Sequence, residues 1–295
     1  MLPFALFASA CSDYTVVETK EYYGGDTACE SGEMPNPTSV VIDPNCAFEP
    51  DAGSFVPTVE WQWSASAGAA GYGDVMMTPV VGDIDGDKRP EIVFTSYAAD
   101  NYGGAGALVV LAGDGSAEKA RWTNLDGYAP SASAGVALGD LDGDGVPEIV
   151  TLTTDFRVIA LHADGTVVWV TDAYSSDFST YGYPVIADMD ADGMAEVVVG
   201  RVILGAGGAL VGRGGYGIGG SYSIPIVVDL DMDGLQEVVV GNAAYNKDGS
   251  AKWANGNPDT WAAAADFDAD GQGEVVTVYW GSVYLVNTDG TPLWG

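Results

Sequence analysis

The stretch VIADMDADGMAEVVV, residues 185–199, joins two apolar runs through a loop of three alternating aspartates and a glutamate. Four further stretches align with it without gaps: VVGDIDGDKRPEIVF (80–94), ALGDLDGDGVPEIVT (137–151), IVVDLDMDGLQEVVV (226–240) and AAADFDADGQGEVVT (263–277). The β-branched residues on both sides of each loop favour strands. A strand–loop–strand unit that recurs at intervals of 37 to 57 residues indicates a repeat protein rather than one irregular domain.

The repeated loop has Asp at positions 1, 3 and 5 and Glu at position 9. Alternating carboxylates in a tight loop are a typical set of hard oxygen ligands for Ca²⁺. Without a cation, each pair of carboxylates 4 Å apart would repel by about 4 kcal/mol at an effective dielectric of about 20. We therefore predict about five Ca²⁺ ions, one in each loop. The predicted ligands are Asp83, Asp85, Asp87 and Glu91; Asp140, Asp142, Asp144 and Glu148; Asp188, Asp190, Asp192 and Glu196; Asp229, Asp231, Asp233 and Glu237; and Asp266, Asp268, Asp270 and Glu274.

The other loop positions distinguish this pattern from other metal sites. Position 6 has to turn sharply; it is Gly in four loops and Lys88 in the first. Position 7 shares no side-chain type, so its backbone carbonyl is the predicted ligand there. An EF-hand would place Glu at position 12 between helices, and Mg²⁺ is less suited to an all-protein carboxylate cage. A solubilising acidic turn would explain one such loop but not five copies of it.

A second feature follows each acidic loop: an Asp-Gly turn between apolar runs, and then a tryptophan. The dipeptide predicts a tight hairpin, which gives each unit four short strands. The third unit has lost both the turn Asp and the tryptophan. The unit-ending tryptophans, predicted to be wedges between units, are Trp122, Trp169, Trp253 and Trp294. Four-stranded units of this length predict an all-β fold, a β-propeller of antiparallel blades.

From about residue 61 to 295 the chain resembles the FG-GAP/VCBS repeat family, which includes the integrin α-subunit propellers; YGYPVIADMDADGMAEVVVG, residues 181–200, follows that pattern nearly throughout. The resemblance implies a calcium-binding propeller. Glu at position 9, where the integrin-type loop more often has Asp, implies a slightly looser metal geometry. Two interpretations of blade number are open: five blades closed by the TVEWQW stretch (58–63) as a clasp, or part of a propeller of six to eight blades.

The first sixty residues differ in composition from the repeats. Residues 1–11 resemble a lipoprotein signal segment, in which an apolar run ends in Ala-Ser-Ala before Cys11, the predicted site of an outer-membrane lipid anchor. Residues 12–59 are predicted to be an acidic linker rich in Gly, Pro and Thr. In an exported chain, its two cysteines predict a Cys29–Cys46 disulfide. Residues 60–295 are then the repeat domain, and the protein is predicted to be exported, either to the outer membrane or cell surface or as a secreted protein.

Composition limits the possible functions. The net charge of −32 excludes attraction to nucleic acid or to an anionic membrane. A single histidine, His162, excludes mechanisms that need two imidazoles, and its place in a hairpin favours a solvated side chain over a catalytic one. The Gly-rich run around Tyr216 lacks a G-K-[ST] motif and is predicted to be a flexible loop between strands, while Arg201 and Arg213 form no convincing anion site.

We therefore predict a non-enzymatic surface protein in which calcium is structural and the opposite face binds an extracellular protein or glycan, as in adhesion. The alternative is a propeller enzyme, either a polysaccharide lyase or a quinoprotein-like dehydrogenase, because the DGTxxW hairpins also resemble quinoprotein repeats. A structural spacer without a ligand is a third possibility.

Overall fold

The computed structural model describes residues 58–65, 71–98 and 101–294. All regular secondary structure in these ranges is β-strand, and no helix there could cross a membrane. The chain divides into two units, Met1–Glu60 and Trp61–Gly295, and all the strands lie in the second. Cys11, Cys29 and Cys46, with the predicted signal segment and most of the linker, lie outside the described residues. The lipid anchor and the disulfide therefore stay predictions.

Twenty strands form five sheets of four consecutive strands each, which we call blades 1 to 5. Blade 1 contains β1 (Val80–Gly82), β2 (Glu91–Ser96), β3 (Ala107–Ala112) and β4 (Glu118–Trp122). Blade 2 contains β5 (Ala137–Gly139), β6 (Glu148–Leu152), β7 (Val158–Leu161) and β8 (Val167–Val170). Blade 3 contains β9 (Val185–Ala187), β10 (Glu196–Val199), β11 (Val202–Leu204) and β12 (Leu210–Arg213). Blade 4 contains β13 (Ile226–Val228), β14 (Glu237–Val240), β15 (Ala243–Tyr245) and β16 (Ala251–Ala254), and blade 5 contains β17 (Trp261–Ala265), β18 (Glu274–Tyr279), β19 (Ser282–Val286) and β20 (Pro292–Trp294).

Within each blade, every strand pairs antiparallel with the strand that follows it in sequence. The first strands of successive blades contact one another, from β1 through β5, β9 and β13 to β17. The second and third strands of blades 2, 3 and 4 are buried along their whole length, because a neighbouring blade covers each face. This arrangement confirms the predicted all-β fold of propeller blades.

Tryptophans connect one blade to the next. The ring of Trp122 lies over Gly165 in the hairpin of blade 2, and Trp169 and Trp253 lie in the same way over glycines in blades 3 and 5. A Cβ added at Gly165 would clash with the Trp122 ring. These contacts confirm the predicted wedges for three of the four tryptophans; Trp294 is 54% exposed.

Trp61 and Trp63, from the TVEWQW stretch, pack on blade 1. Trp61 lies over Gly115, as a unit-ending tryptophan would, and the ring of Trp63 packs edge-on against Phe94 with centroids 5.0 Å apart. Residues 58–65 form no strand, so they do not extend a sheet as the clasp interpretation requires.

Candidate metal centres

The acidic loops join the first strand of each blade to the second, so all five lie at the same end of their blades. The loop of blade 2, loop 2, shows how the carboxylates build the turn. Asp140 at position 1 accepts hydrogen bonds from the amides of Gly143 (2.7 Å) and Gly145 (2.9 Å). Asp144 at position 5 accepts one from the amide of Val146 at 2.7 Å. Loops 1, 3, 4 and 5, numbered by blade, repeat the position 6 and position 7 hydrogen bonds.

Two positions in each loop turn with positive φ. Position 6 does so as predicted, and Lys88 takes a φ of 68° where the other loops have glycine. Position 4 also has positive φ, including Ala191 at 57° and Met232 at 59°. Non-glycine residues are uncommon in this conformation, so the hydrogen bonds of the loop must hold them there. In loops 1 and 2 the residue at position 4 is glycine, which gives the pattern D-x-D-G and indicates this second turn.

The glutamate at position 9 is buried in every loop and begins the second strand. One of its oxygens, Oε2, accepts a hydrogen bond from the amide of the residue at position 2, at 2.8 Å from Leu141 to Glu148 and 2.8 Å from Phe267 to Glu274. The glutamate side chain therefore closes the loop across its base and still has Oε1 available to another partner.

The structure brings together only part of each predicted ligand set. Carboxylate oxygens lie within 4.8 Å of one another in five groups: Asp83, Asp85 and Glu91; Asp140, Asp142 and Glu148; Asp188, Asp190 and Asp192; Asp229, Asp231 and Glu237; and Asp266, Asp268 and Glu274. In loops 1, 2, 4 and 5 the aspartate at position 5 is outside the group and holds the amide of position 7 instead. In loop 3, Asp192 belongs to the group in place of Glu196.

Three lysines reach into these groups, which the sequence analysis did not anticipate. Lys119 Nζ lies 2.8 Å from Asp85 and 2.6 Å from Glu91 in loop 1. The other two lysines also bind two carboxylates each: Lys247 binds Asp190 and Glu196 of loop 3, and Lys252 binds Asp231 and Glu237 of loop 4.

Loops 2 and 5 have no such ammonium among the described residues. In loop 2, His162 Nδ1 lies 3.3 Å from Glu148 Oε1, so the imidazole, whose side chain is 44% exposed, lies at the solvent edge of the carboxylate group. In loop 5, Glu274 is fully buried and its Oε1 has no hydrogen-bond partner. A buried carboxylate oxygen without a partner is costly, and a hard cation is the ligand that best satisfies it.

The ion pairs also shift protonation equilibria. Hydrogen bonds to Asp85 and Glu91 raise the pKa of Lys119 above its usual range, and the bond from Lys119 lowers the pKa of Asp85. Burial opposes the charge of Lys247, but hydrogen bonds to Asp190 and Glu196 outweigh that effect and raise its pKa. These lysines are therefore fully charged at neutral pH, and each places a cation in its loop.

Aromatic residues line the opposite end of the blades. Tyr102 lies between a second and a third strand, and Tyr181, Tyr222 and Trp261 lie at the approach to first strands, whereas the acidic loops lie between first and second strands. Because strands in a blade are antiparallel, these two sets of connections fall at opposite ends. No local sequence pattern marks this group, since its members are far apart in the chain.

These side chains, with Tyr97, form a continuous series that we call the aromatic row. Ring centroids follow one another at 6.5, 6.3, 6.2 and 5.9 Å from Tyr97 through Tyr102, Tyr181 and Tyr222 to Trp261. Tyr102, Tyr222 and Trp261 are exposed. Exposed aromatic surface of this extent is typical of binding sites.

The glycine-rich segment near Tyr216 uses its backbone donors inside the protein. Its amides at Ile218 and Gly219 donate to the carboxylate of Asp259, at 2.8 and 3.0 Å. Arg201 and Arg213 both bind the buried Asp177, at 2.8 and 2.7 Å. These donors are therefore engaged within the protein, and the absence of an anion site at the two arginines stays a prediction.

Five blades in sequence, each with an acidic loop between its first two strands, define a propeller-type repeat protein. Residues 83–151, from the loop of blade 1 to β6, match the family model of the FG-GAP-like repeat. This segment therefore carries an FG-GAP-like repeat, as the sequence predicts. No curated protein sequence matches it.

Solved structures support the fold. The biofilm matrix protein Bap1 of V. cholerae aligns with a TM-score of 0.68 and 23% identity, over 80% of this chain and 42% of that chain. The rhamnogalacturonan lyase YesW aligns with a TM-score of 0.55 and 20% identity, over 77% of this chain and 47% of that one. The Bacillus licheniformis rhamnogalacturonan lyase PL11 aligns with a TM-score of 0.52 and 18% identity, over 81% of this chain and 54% of that one. The chain thus spans about half the length of these proteins.

Proposed function

We propose that the protein is a calcium-binding surface or extracellular repeat protein in which the ions are structural and the aromatic row binds a glycan partner. The observation that carries the calcium proposal is the convergence of carboxylates within 4.8 Å in all five loops. Oxygen ligands alone and a buried, unpartnered Glu274 Oε1 suit Ca²⁺. None of these groups includes the sulfur ligands that would favour zinc.

Calorimetric titration of chelator-treated protein tests this proposal. We expect uptake of about five Ca²⁺, with dissociation constants of roughly 10⁻⁴ to 10⁻³ M, as in other extracellular calcium modules. Asp142→Asn, which keeps the shape of a loop ligand, should remove or weaken one site. Asp155→Asn, which removes an equal charge outside the loops, should leave uptake unchanged. No uptake at millimolar calcium, or a preference for zinc, would overturn the proposal.

The aromatic row supports a glycan as the partner at the opposite end. Tyrosine and tryptophan offer flat apolar faces with polar edges, which suits the mixed surface of a sugar ring. The net charge of −32 disfavours strongly anionic polymers, so we propose a neutral polysaccharide. A protein ligand for the same row is the alternative outcome of the test.

Affinity electrophoresis in gels that contain neutral or anionic polysaccharide tests the partner. We expect retardation by at least one neutral polymer, and its loss in Tyr222→Ser and Trp261→Ser. Trp294→Ser is the matched control, because Trp294 is exposed but lies outside the row. Unchanged retardation of the row variants, or no retardation by any neutral polymer, would argue against the glycan.

We propose that the protein is not an enzyme, and a polysaccharide lyase or quinoprotein-like dehydrogenase remains the competing proposal. Two of the structures with the same fold are lyases, but at these identities the likeness concerns the fold alone. An assay for unsaturated sugar ends, run with and without calcium on the polymers that bind, distinguishes binding from cleavage. Product formation that Asp142→Asn abolishes without loss of folding would favour the enzyme.

We also propose a lipid anchor at Cys11 as the means of surface attachment. In cells that export the protein, Cys11→Ala should move it from the membrane fraction to the soluble fraction. Unchanged fractionation would overturn this anchor without affecting the calcium proposal.

A further inference from the structure

We propose that lysines built into the blades compete with calcium, so that the loops form two affinity classes set largely by the residue at one bulge. Loops 2 and 5 would bind tightly, and loops 1, 3 and 4 weakly. The inference rests on the proposed function, since it concerns the affinities of the same loops.

The bulge lies between the third and fourth strands of every blade. In blade 1, Val110 pairs with Ala120 and Leu111 with Glu118, so Lys119 has no partner in the register. The other four blades have the same register shift. A bulge re-aims the side chain of its extra residue. The five extra residues are Lys119, Val168, Val211, Lys252 and Leu293.

The two bulge lysines both reach the loop of their own blade. Lys119 bridges Asp85 and Glu91 in loop 1, and Lys252 Nζ lies 2.5 Å from Asp231 and 2.9 Å from Glu237 in loop 4. In each case the ammonium bonds to the residues at positions 3 and 9, which are two of the three residues in the carboxylate group of that loop. Calcium can enter such a loop only by displacing the ammonium.

Loop 3 obtains its lysine from the neighbouring blade. Blade 3 has Gly212 in place of a wedge tryptophan, and the hairpin of blade 4 lies directly against it, so that a side chain at Gly212 would clash with the backbone of residues 247–249. Lys247 in that hairpin bonds to Asp190 at 2.6 Å and to Glu196 at 2.9 Å. Positions 3 and 9 of loop 3 therefore also bind an ammonium group, but the lysine comes from the hairpin of blade 4 and not from a bulge in blade 3.

Loop 5 has the opposite character. Its bulge residue is Leu293, which is exposed and uncharged, and no lysine of the described residues reaches the loop. Its Glu274 Oε1 is buried and bonds to no described residue, as do Asp190 Oδ1 in loop 3 and Asp231 Oδ1 in loop 4. A cation there displaces no internal charge and satisfies an oxygen that otherwise has no hydrogen bond. Loop 2 has Val168 at the bulge, and among the described residues the one positively chargeable side chain at its glutamate is His162, at 3.3 Å.

Counting tightly bound ions tests the inference. Equilibrium dialysis against a calibrated calcium buffer should give two tight ions for the natural protein. Lys119→Leu and Lys252→Leu should each add one, with an affinity gain of about tenfold or more at that loop. Leu293→Lys should remove one tight ion, and Val168→Lys should do the same independently.

Charge and folding need matched controls. Arg157→Leu changes the net charge as Lys119→Leu does, but Arg157 pairs with Asp155 away from the loops, so it should leave the count at two. Circular dichroism should show each variant folded; because Leu293 and Val168 are both exposed, their lysine variants should fold.

If all variants bind the same number of tight ions, the lysines do not compete and this inference is wrong, although the proposed function stands. If the natural protein binds no calcium, the proposed function fails, and this inference with it.

Discussion

Blade 2 and blade 5 share one sequence pattern but have different surroundings. Each has an acidic loop, an Asp-Gly hairpin and a final tryptophan, yet β6 and β7 of blade 2 are wholly buried while the equivalent β18 and β19 of blade 5 are partly exposed. Val158 and Val283 begin the apolar run before the hairpin at equivalent positions, and their exposed fractions are 0% and 44%.

The difference comes from the neighbouring blades. Blade 2 contacts blade 1 through β5 and blade 3 through β9, whereas blade 5 contacts blade 4, and its other face is exposed in the described part of the chain. An individual unit therefore specifies strands but not a core, because the strands need a blade on each side to be buried.

Calcium removal should have the largest effect on stability, and it should affect blade 5 before blade 2. At about 1 mM calcium, each site with a dissociation constant of roughly 10⁻⁴ to 10⁻³ M adds about 0.4 to 1.4 kcal/mol, so about five sites add roughly 2 to 7 kcal/mol. Chelation should therefore lower the melting temperature substantially. Hydrogen exchange should show loss of protection first in β17 to β20, which have one neighbouring blade. An unchanged melting temperature would mean that blade packing alone stabilises the fold.

Replacing the unit-ending tryptophans should give the next largest difference in unfolding free energy between blade 2 and blade 5. Trp169→Ala should cost about 3 kcal/mol of unfolding free energy, because the ring packs over Gly208 and its Nε1 donates to Ala206 O at 2.8 Å. Trp294→Ala should cost less than about 0.5 kcal/mol, as expected for an exposed side chain. Urea denaturation of both variants measures the two costs. Equal costs would show that blade 5 is covered in solution.

The equivalent valines test the same idea without an aromatic ring. Val158→Ala should destabilise by about 2 kcal/mol, from two lost methyl groups and the cavity they leave. Val283→Ala should stay within about 0.5 kcal/mol of the natural protein. Thermal unfolding at fixed calcium compares them, and the prediction is wrong if Val283→Ala is the more damaging change.

The smallest effect concerns the turn between the second and third strands. In blade 2, burial opposes ionisation of Asp155, but hydrogen bonds from Thr153 and Arg157 outweigh it and lower the pKa below 3.8. Ionised Asp155 therefore stabilises the fold above that pH, and the contribution is lost as the pH falls through the lowered pKa. Because the pair is exposed, Asp155→Asn should cost less than about 1 kcal/mol near neutral pH and nothing in acid. Denaturation from pH 3 to 7 measures this difference, and a cost that persists in acid would contradict it.

Local patterns were enough to predict the blades and the acidic loops. The repeat at residues 185–199 contains its own turn residues and strand formers, so its shape depends little on distant contacts. The second positive-φ position was harder to foresee, because Ala191 and Met232 carry no signal for it. The four carboxylates were predicted to converge in every loop, but in loops 1, 2, 4 and 5 the aspartate at position 5 lies outside the group and accepts a hydrogen bond from the amide of position 7.

Features that depend on packing between segments could not be predicted. The bulge that directs Lys119 and Lys252 into their loops arises from strand register, which the hydrophobic pattern does not specify to one residue. Lys247 reaches loop 3 only because two blades approach closely at Gly212. The aromatic row joins residues as far apart as Tyr97 and Trp261, so no local motif marks it.

The tryptophan–glycine contact has an evolutionary consequence. Blade 2 carries both halves of the contact, a glycine that receives the ring of the preceding blade and a tryptophan that covers the glycine of the next. When a gene segment that encodes such a unit is duplicated, the copy already fits its parent, because the interface joins two different surfaces of the same unit. Such an array can gain units in one direction without inventing a new interface. In blade 3, which has Gly212 at the tryptophan position and meets the backbone of blade 4 directly, one interface differs from the others while the array stays continuous.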